Sequence, residues 1–246
     1  MQSTFRTSHQ ISTLTLAIAL GCGAVLTPAL EVKSQLTHEY EEKERVWSKA
    51  FDAYQKKQFA LSMKGFGDFM EFETDIKSER FVEAVYLESI CALNLYHKDA
   101  EFRIDEFITV YPESPYAIEA LYAIADHHYK RRHYKKAAEA FDKVDLRQLS
   151  LDKKCELRFK RGHSLFEMED FEAARYDLFD VLKNKGPFHS AATYYFSHIA
   201  YLNGNPQVAL DGFYEISDDP NFVSVVPIYI AQSLHASSQF TELQSY

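Results

Sequence analysis

The stretch Ala117 to Val144, AIEALYAIADHHYKRRHYKKAAEAFDKV, decides the fold. Leu121, Ile124, Ala125 and His128 recur at helical spacing, and Tyr129 follows. Arg131 and Arg132 interrupt the apolar stripe. Tyr134, Ala137, Phe141 and Val144 then form a second stripe at spacings of three, four and three. Two short amphipathic stripes divided by a few polar residues predict an antiparallel helix pair.

Working outward, the same layout returns at intervals near 35 residues. Downstream, Gly162, Phe166, Phe171, Ala174, Leu178 and Val181 occupy the places of Ala125, Tyr129, Tyr134, Ala137, Phe141 and Val144. Next come Ser197, Tyr201, Pro206, Ala209, Phe213 and Ile216. Upstream, Ser89, Ala100, Ile104 and Phe107 match with one residue fewer in the turn, and Tyr54, Phe59, Ser62, Phe66 and Phe69 match before them. Ala231, His235, Phe240 and Leu243 begin a sixth unit. A hairpin of this size cannot bury its apolar face alone, so recurrence at a fixed period predicts hairpins stacked on one another.

These residues resemble the tetratricopeptide repeat, with a small residue in helix A, an aromatic near its end, an aromatic opening helix B, then alanine and an aromatic. The resemblance covers residues from about 45 to 246. Pro112, in the segment YPESPYAIEALY, stands where the family's closing proline does, and that segment is similar to exported bacterial repeat proteins, including outer-membrane assembly lipoproteins. The departures are a helix-A tryptophan at Trp47 alone, and Phe69, Phe107, Val144, Val181 or Ile216 in place of the third alanine. The resemblance implies an all-α, right-handed α-solenoid of stacked antiparallel helix pairs. Its units would run over 45–76, 79–112, 115–147, 151–185 and 188–219, with an incomplete unit over 222–246. The last unit breaks off inside helix B, which suggests that the array continues in a longer chain or offers an edge for docking.

Composition agrees with this class. Glycine (8) and proline (7) are scarce for a 246-residue all-β protein, and 19 Phe with 16 Tyr supply rings for packing between helices. A net charge of −9 disfavours broad contact with nucleic acid.

Residues 1–29 read as a signal peptide. A polar start with Arg6 is followed by the uncharged run LTLAIALGCGAVL (14–26) and by Thr27-Pro28-Ala29. Thirteen apolar residues are too few to span a hydrocarbon core of about 30 Å as a helix. Ala19-Leu20-Gly21-Cys22 also approximates a lipoprotein box, making Cys22 a possible lipidation site. The expected location is therefore the periplasm or the outer membrane of a Gram-negative envelope. Residues 30–44, polar and acidic, are expected to cap the array by extending its first helix.

Carrying the family's groove over by position gives three rows on the A helices. Tyr86, Tyr122, Phe159 and Tyr194 form one row; Leu93, Tyr129, Phe166 and Tyr201 form a second. Ile90, Asp126, His163 and His198 lie between them. Aromatic rows edged with hydroxyls and imidazoles suit a peptide or a helix of a protein partner. Few lysines or arginines fall on that face, so a basic clamp is not expected.

Other constellations carry less. His127 and His128 are adjacent, so their side chains diverge by about 100° on a helix, and no metal site is expected with His133. Cys91 and Cys155 sit in apolar patterns and read as small buried side chains. The run KRRHYKK (130–136) holds five cations in seven residues and reads as a solvated turn, or as a contact for anionic lipid, glycan or an acidic partner. Gly65 and Gly67 lack a phosphate-loop continuation, and no nucleophile elbow or zincin motif occurs. The expectation is a non-catalytic protein-interaction scaffold of the cell envelope without a cofactor, binding a peptide or helix of a partner in its concave groove. The alternatives are a lipid-anchored component of an outer-membrane assembly or envelope machine, and the helical N-terminal arm of a longer multidomain protein.

Overall fold

The computed structural model describes residues 38–246, so the leader, Cys22 and residues 30–37 lie outside the described part. The described residues form helices joined by short turns, with no strand among them. They divide into two compact units, one ending at Leu95 and the other running from Tyr96 to Tyr246.

In the first unit, α1 covers 38–55, α2 Phe59–Phe72 and α3 Glu79–Asn94. Residues 38–44 continue directly into α1. Two contacts hold α1 against α2. The Ser62 hydroxyl donates to the Ala50 carbonyl at 3.0 Å, and Trp47 packs edge-on against Phe66 and Phe69 with centroids 5.5 and 4.9 Å away. Both phenylalanines are fully buried, and each contributes roughly 1.5–3 kcal/mol through removal from water. The Ser78 side chain caps α3 by accepting from the Phe81 N–H, and Arg80 reaches back to both oxygens of Glu44 on α1.

The second unit begins with α4 (Ala100–Val110). Pro112 and Pro115 then separate it from α5 (Tyr116–Lys130). The order continues as α6 (Tyr134–Asp142), a 3₁₀ turn at Leu146–Gln148, α7 (Leu151–Glu167), α8 (Phe171–Leu182), α9 (His189–Leu202), α10 (Pro206–Glu215), α11 (Val226–Ala236) and α12 (Phe240–Ser245). Each of these helices packs on the next, and α5 also meets α7, as α7 meets α9. Helices one repeat apart thus touch along the stack.

The turns inside the hairpins share one backbone device. Lys57, Tyr96, Arg132, Glu169, Gly204 and Ser238 all adopt left-handed φ, between 57° and 73°. At Arg132 the N–H of this residue bonds the Tyr129 carbonyl, and the next N–H, of His133, bonds the His128 carbonyl. The same pair of bonds recurs at Lys57, Glu169, Gly204 and Ser238, giving a Schellman end to α1, α5, α7, α9 and α11. Only one of the six positions is glycine.

Counting from that left-handed residue puts the repeats in register. Five places on from it, or four after Tyr96, stand Ser62, Ala100, Ala137, Ala174 and Ala209, each at most 2% exposed. Four residues further stand Phe66, Ile104, Phe141, Leu178 and Phe213, all fully buried. The two helices of a hairpin cross where the residue seven before the turn meets the residue eight after it. There Ala50 faces Gly65, Gly162 faces Asp177 and Ser197 faces Gly212. A methyl group added at Gly65 would lie 2.8 Å from the Ala50 Cβ. Small residues at the crossing let the helices approach this closely.

Candidate functional site: the first-helix face of the second unit

Of the twelve residues assigned to the groove rows, Tyr86, Ile90 and Leu93 belong to α3 in the first unit, and all three are buried. The other nine lie on α5, α7 and α9 of the second unit. Phe159 is 9% exposed; Tyr122, Asp126, Tyr129, His163, Phe166, Tyr194, His198 and Tyr201 are half-buried. Side chains on that face are thus engaged with one another and only partly open to solvent.

The engagement begins at Lys160, whose ammonium lies 2.5 Å from both Asp126 on α5 and Glu156 on its own helix. It also sits 5.6 and 5.9 Å from the ring centres of Tyr122 and Tyr129. A basic side chain therefore does stand on this face, and two carboxylates and two rings already hold it. Burial alone would raise the Asp126 pKa, but hydrogen bonds from Lys130 and Lys160 outweigh it and hold the carboxyl below its ordinary range. Burial pushes the phenols of Tyr122 and Tyr129 well up, so both stay protonated donors.

One turn along α7, His163 Nδ1 is 2.9 Å from the Tyr129 hydroxyl. Burial depresses the His163 pKa, so the ring is neutral near pH 7. Tyr129 then donates to Nδ1, which places the remaining ring proton on Nε2, 3.3 Å from a Glu167 oxygen. The His163 ring also lies 4.6 Å from Tyr195 and parallel to Phe159. From there the rings continue: Tyr195 against Phe166, Phe166 against His198, and His198 against Tyr229 of α11 at 4.8 Å. Burial also lowers the His198 pKa. Tyr194 joins the ladder through Phe213, Phe222 and Tyr229. An unbroken surface of rings and imidazoles thus runs across four successive first helices of hairpins, α5, α7, α9 and α11.

The sequence rows omit Lys160, Tyr195 and Tyr229. Tyr195 and Tyr229 each lie one place away from the rows, about 100° around the helix, so a rule built on one position per repeat passes over them. For Lys160 the sequence shows only Glu156 four residues before it; its contact with Asp126 on α5 arises from the packing of α7 on α5.

Elsewhere, His127, His128 and His133 have ring centres 6.0 and 6.2 Å apart in sequence order. No group of three or more His, Cys, Asp or Glu is placed to hold a metal ion among the described residues. Cys91 is buried, Cys155 is half-buried, and burial raises both thiol pKa values. Among the described residues no helix is long and apolar enough to cross a membrane.

With helices pairing in sequence order and first helices meeting along the stack, the architecture is decided. The fold is a tetratricopeptide-like array of helical hairpins. No protein-family model matches the chain, and no curated protein matches it in sequence. Among solved structures, MamA of AMB-1 aligns with a TM-score of 0.58 at 12% identity, covering 73% of this chain and 92% of MamA. MamA of MSR-1 aligns with a TM-score of 0.54 at 13% identity, over 72% of this chain and 95% of that one. The TPR2AB domain of yeast Sti1, in its complex with pHSP90, aligns more loosely, with a TM-score of 0.37 at 14% identity over 82% of this chain and 87% of its own. The likeness to MamA is one of fold.

Proposed function

We propose that this protein is a non-catalytic interaction scaffold whose second unit binds a peptide or helix of a protein partner along the first-helix face of its hairpins. One observation carries the reading: the half-buried aromatic surface of Tyr122, Tyr129, Phe166, Tyr194 and Tyr201 repeats in register on α5, α7 and α9. Tyr122 and Tyr129 are already held by Lys160 and His163, and Phe166 and Tyr194 by neighbouring rings, so a ligand meets a pre-ordered aromatic surface and little side-chain freedom is lost on binding. Tyrosine is well suited to this role, giving wide apolar contact with a donor at the tip. Capture of partners from envelope extract with the wild-type chain and with Tyr122→Ala/Tyr129→Ala tests the assignment. Partner recovery should fall while the helical circular dichroism signal is retained; unchanged recovery would remove this face from the reading.

The leader supports an envelope location, periplasmic or attached to the outer membrane. The apolar run 14–26 followed by Thr27-Pro28-Ala29 is the feature behind it, and Cys22 gives a lipid-anchored variant of the same reading. Fractionation of wild-type and Cys22→Ser cells separates the two. Acylation with a Cys22-dependent membrane fraction supports the anchor, whereas an unlipidated chain starting near residue 30 supports simple secretion.

A further inference from the structure

The turn edge of the second unit carries a cationic patch that the binding face does not use. The α5–α6 turn presents Lys130, Arg131, Arg132, His133, Lys135 and Lys136, all exposed. Asp126 holds Lys130 and Glu101 holds Lys136, the two local carboxylates that reach this turn. No ion pair holds Arg131, Arg132 or Lys135 among the described residues, and the same is true of Lys98 in the preceding turn. The two turns adjoin, because the Tyr96 ring lies 5.5 Å from the His127 ring. Tyr96 is itself 67% exposed. Four unpaired cations thus flank an exposed tyrosine at protruding turns, on a chain whose net charge is −9. The following turn carries Glu167, Glu169 and Asp170, which confines the basic character to this part of the edge.

We propose that this turn edge, Tyr96, Lys98, Arg131, Arg132 and Lys135, is a docking surface for an anionic phospholipid membrane. Exposed turn residues with long, unpaired cations suit a broad plane of negative headgroups. An acidic peptide would be served better by a groove with fixed, bidentate donors. An exposed tyrosine beside cations matches the interfacial preference of a ring that is apolar at its body and polar at its tip. Attraction of this kind adds about fivefold in affinity per cation near the surface and weakens as salt rises.

The test is co-sedimentation of the full chain with phosphatidylcholine vesicles, with and without phosphatidylglycerol. The quantity read is the binding gained from the anionic lipid, since the apolar leader would act on both vesicle types alike. The wild type should gain binding. Arg131→Ser/Arg132→Asn/Lys135→Ser should lose it by on the order of 100-fold; asparagine at 132 tolerates the left-handed turn. Lys98→Ser, in a different turn, should lose about fivefold, and Arg131→Lys/Arg132→Lys should retain binding. No gain from phosphatidylglycerol, or a gain that the triple variant keeps, would overturn the proposal. So would binding of soluble polyglutamate, lost in the triple variant, with no gain on vesicles; that outcome assigns the edge to an acidic protein partner.

Discussion

Arg161 on α7 grips the buried carboxylate of Asp177 on α8 through two bonds, Nε to Oδ2 at 2.6 Å and Nη2 to Oδ1 at 2.7 Å. Asp177 is 1% exposed, and Arg158 adds a third contact at 3.2 Å. The same Arg161 reaches Asp142 on α6 at 2.6 Å, so one guanidinium ties a hairpin to its neighbour. Asp177 stands at the helix crossing, where Gly65, Ala140 and Gly212 stand in other hairpins. Gly162 opposite it supplies the space, its would-be Cβ lying 3.2 Å from the Asp177 Cβ.

Removing either partner leaves a buried charge uncompensated. Arg161→Met should lower stability by about 3–5 kcal/mol in urea unfolding, toward the lower end because Arg158 remains. The double variant Arg161→Met/Asp177→Leu should be markedly less costly than the sum of the single changes. Additive losses would show that the pair is not coupled.

The crossing in the first unit gives a size test. Gly65→Ala places a methyl group 2.8 Å from the Ala50 Cβ and should cost about 1–3 kcal/mol. Ala50→Gly in the same chain should recover part of that loss. Gly67→Ala meets nothing within 4 Å and should be neutral or stabilising by up to about 1 kcal/mol. A Gly65→Ala chain that melts like Gly67→Ala would refute the close approach.

The left-handed turns predict opposite effects for reciprocal changes. Glu169→Gly should raise the melting temperature, with a gain of up to about 1 kcal/mol, by relieving a side chain from φ of 62°. Gly204→Ala, at φ of 73°, should cost a similar amount. The same sign for both would contradict the shared turn.

Acid should weaken the fold in two windows. Burial lowers the pKa of His127, His128, His163 and His198, so near pH 6 the unfolded chain binds more protons than the folded one. Stability is therefore full above the unfolded value of about 6.5 and falls as pH drops below it. Asp126 and Glu101, both held below their ordinary values, add a second loss below about pH 4. Urea midpoints measured from about pH 7 to pH 5 should decline, and His163→Gln/His198→Gln should flatten the slope. A flat wild-type profile would refute the neutral, buried imidazoles.

The helical class and the hairpin pairing were legible because apolar stripes at three- and four-residue spacing report directly on which face is buried. Ala137, Phe141, Ala174 and Leu178 fall fully inside on that basis. The left-handed turn was not legible, since Lys57, Tyr96, Arg132, Glu169 and Ser238 carry no glycine signal, and backbone hydrogen bonds fix φ at Lys57, Arg132, Glu169 and Ser238. The ladder was legible only in part. Tyr122 and His163 follow the repeat, whereas Lys160 owes its place to carboxylates on two helices, a relation that exists only once the hairpins stack.

The central claim is that a partner lies on the first-helix face of the second unit. A photo-crosslinking amino acid placed at Tyr122 on that face, and separately at Tyr176 on α8, which is 66% exposed, tests it in cells. The account predicts a discrete protein adduct from position 122 and none of that mass from 176. The same adduct from 176, with none from 122, would contradict it.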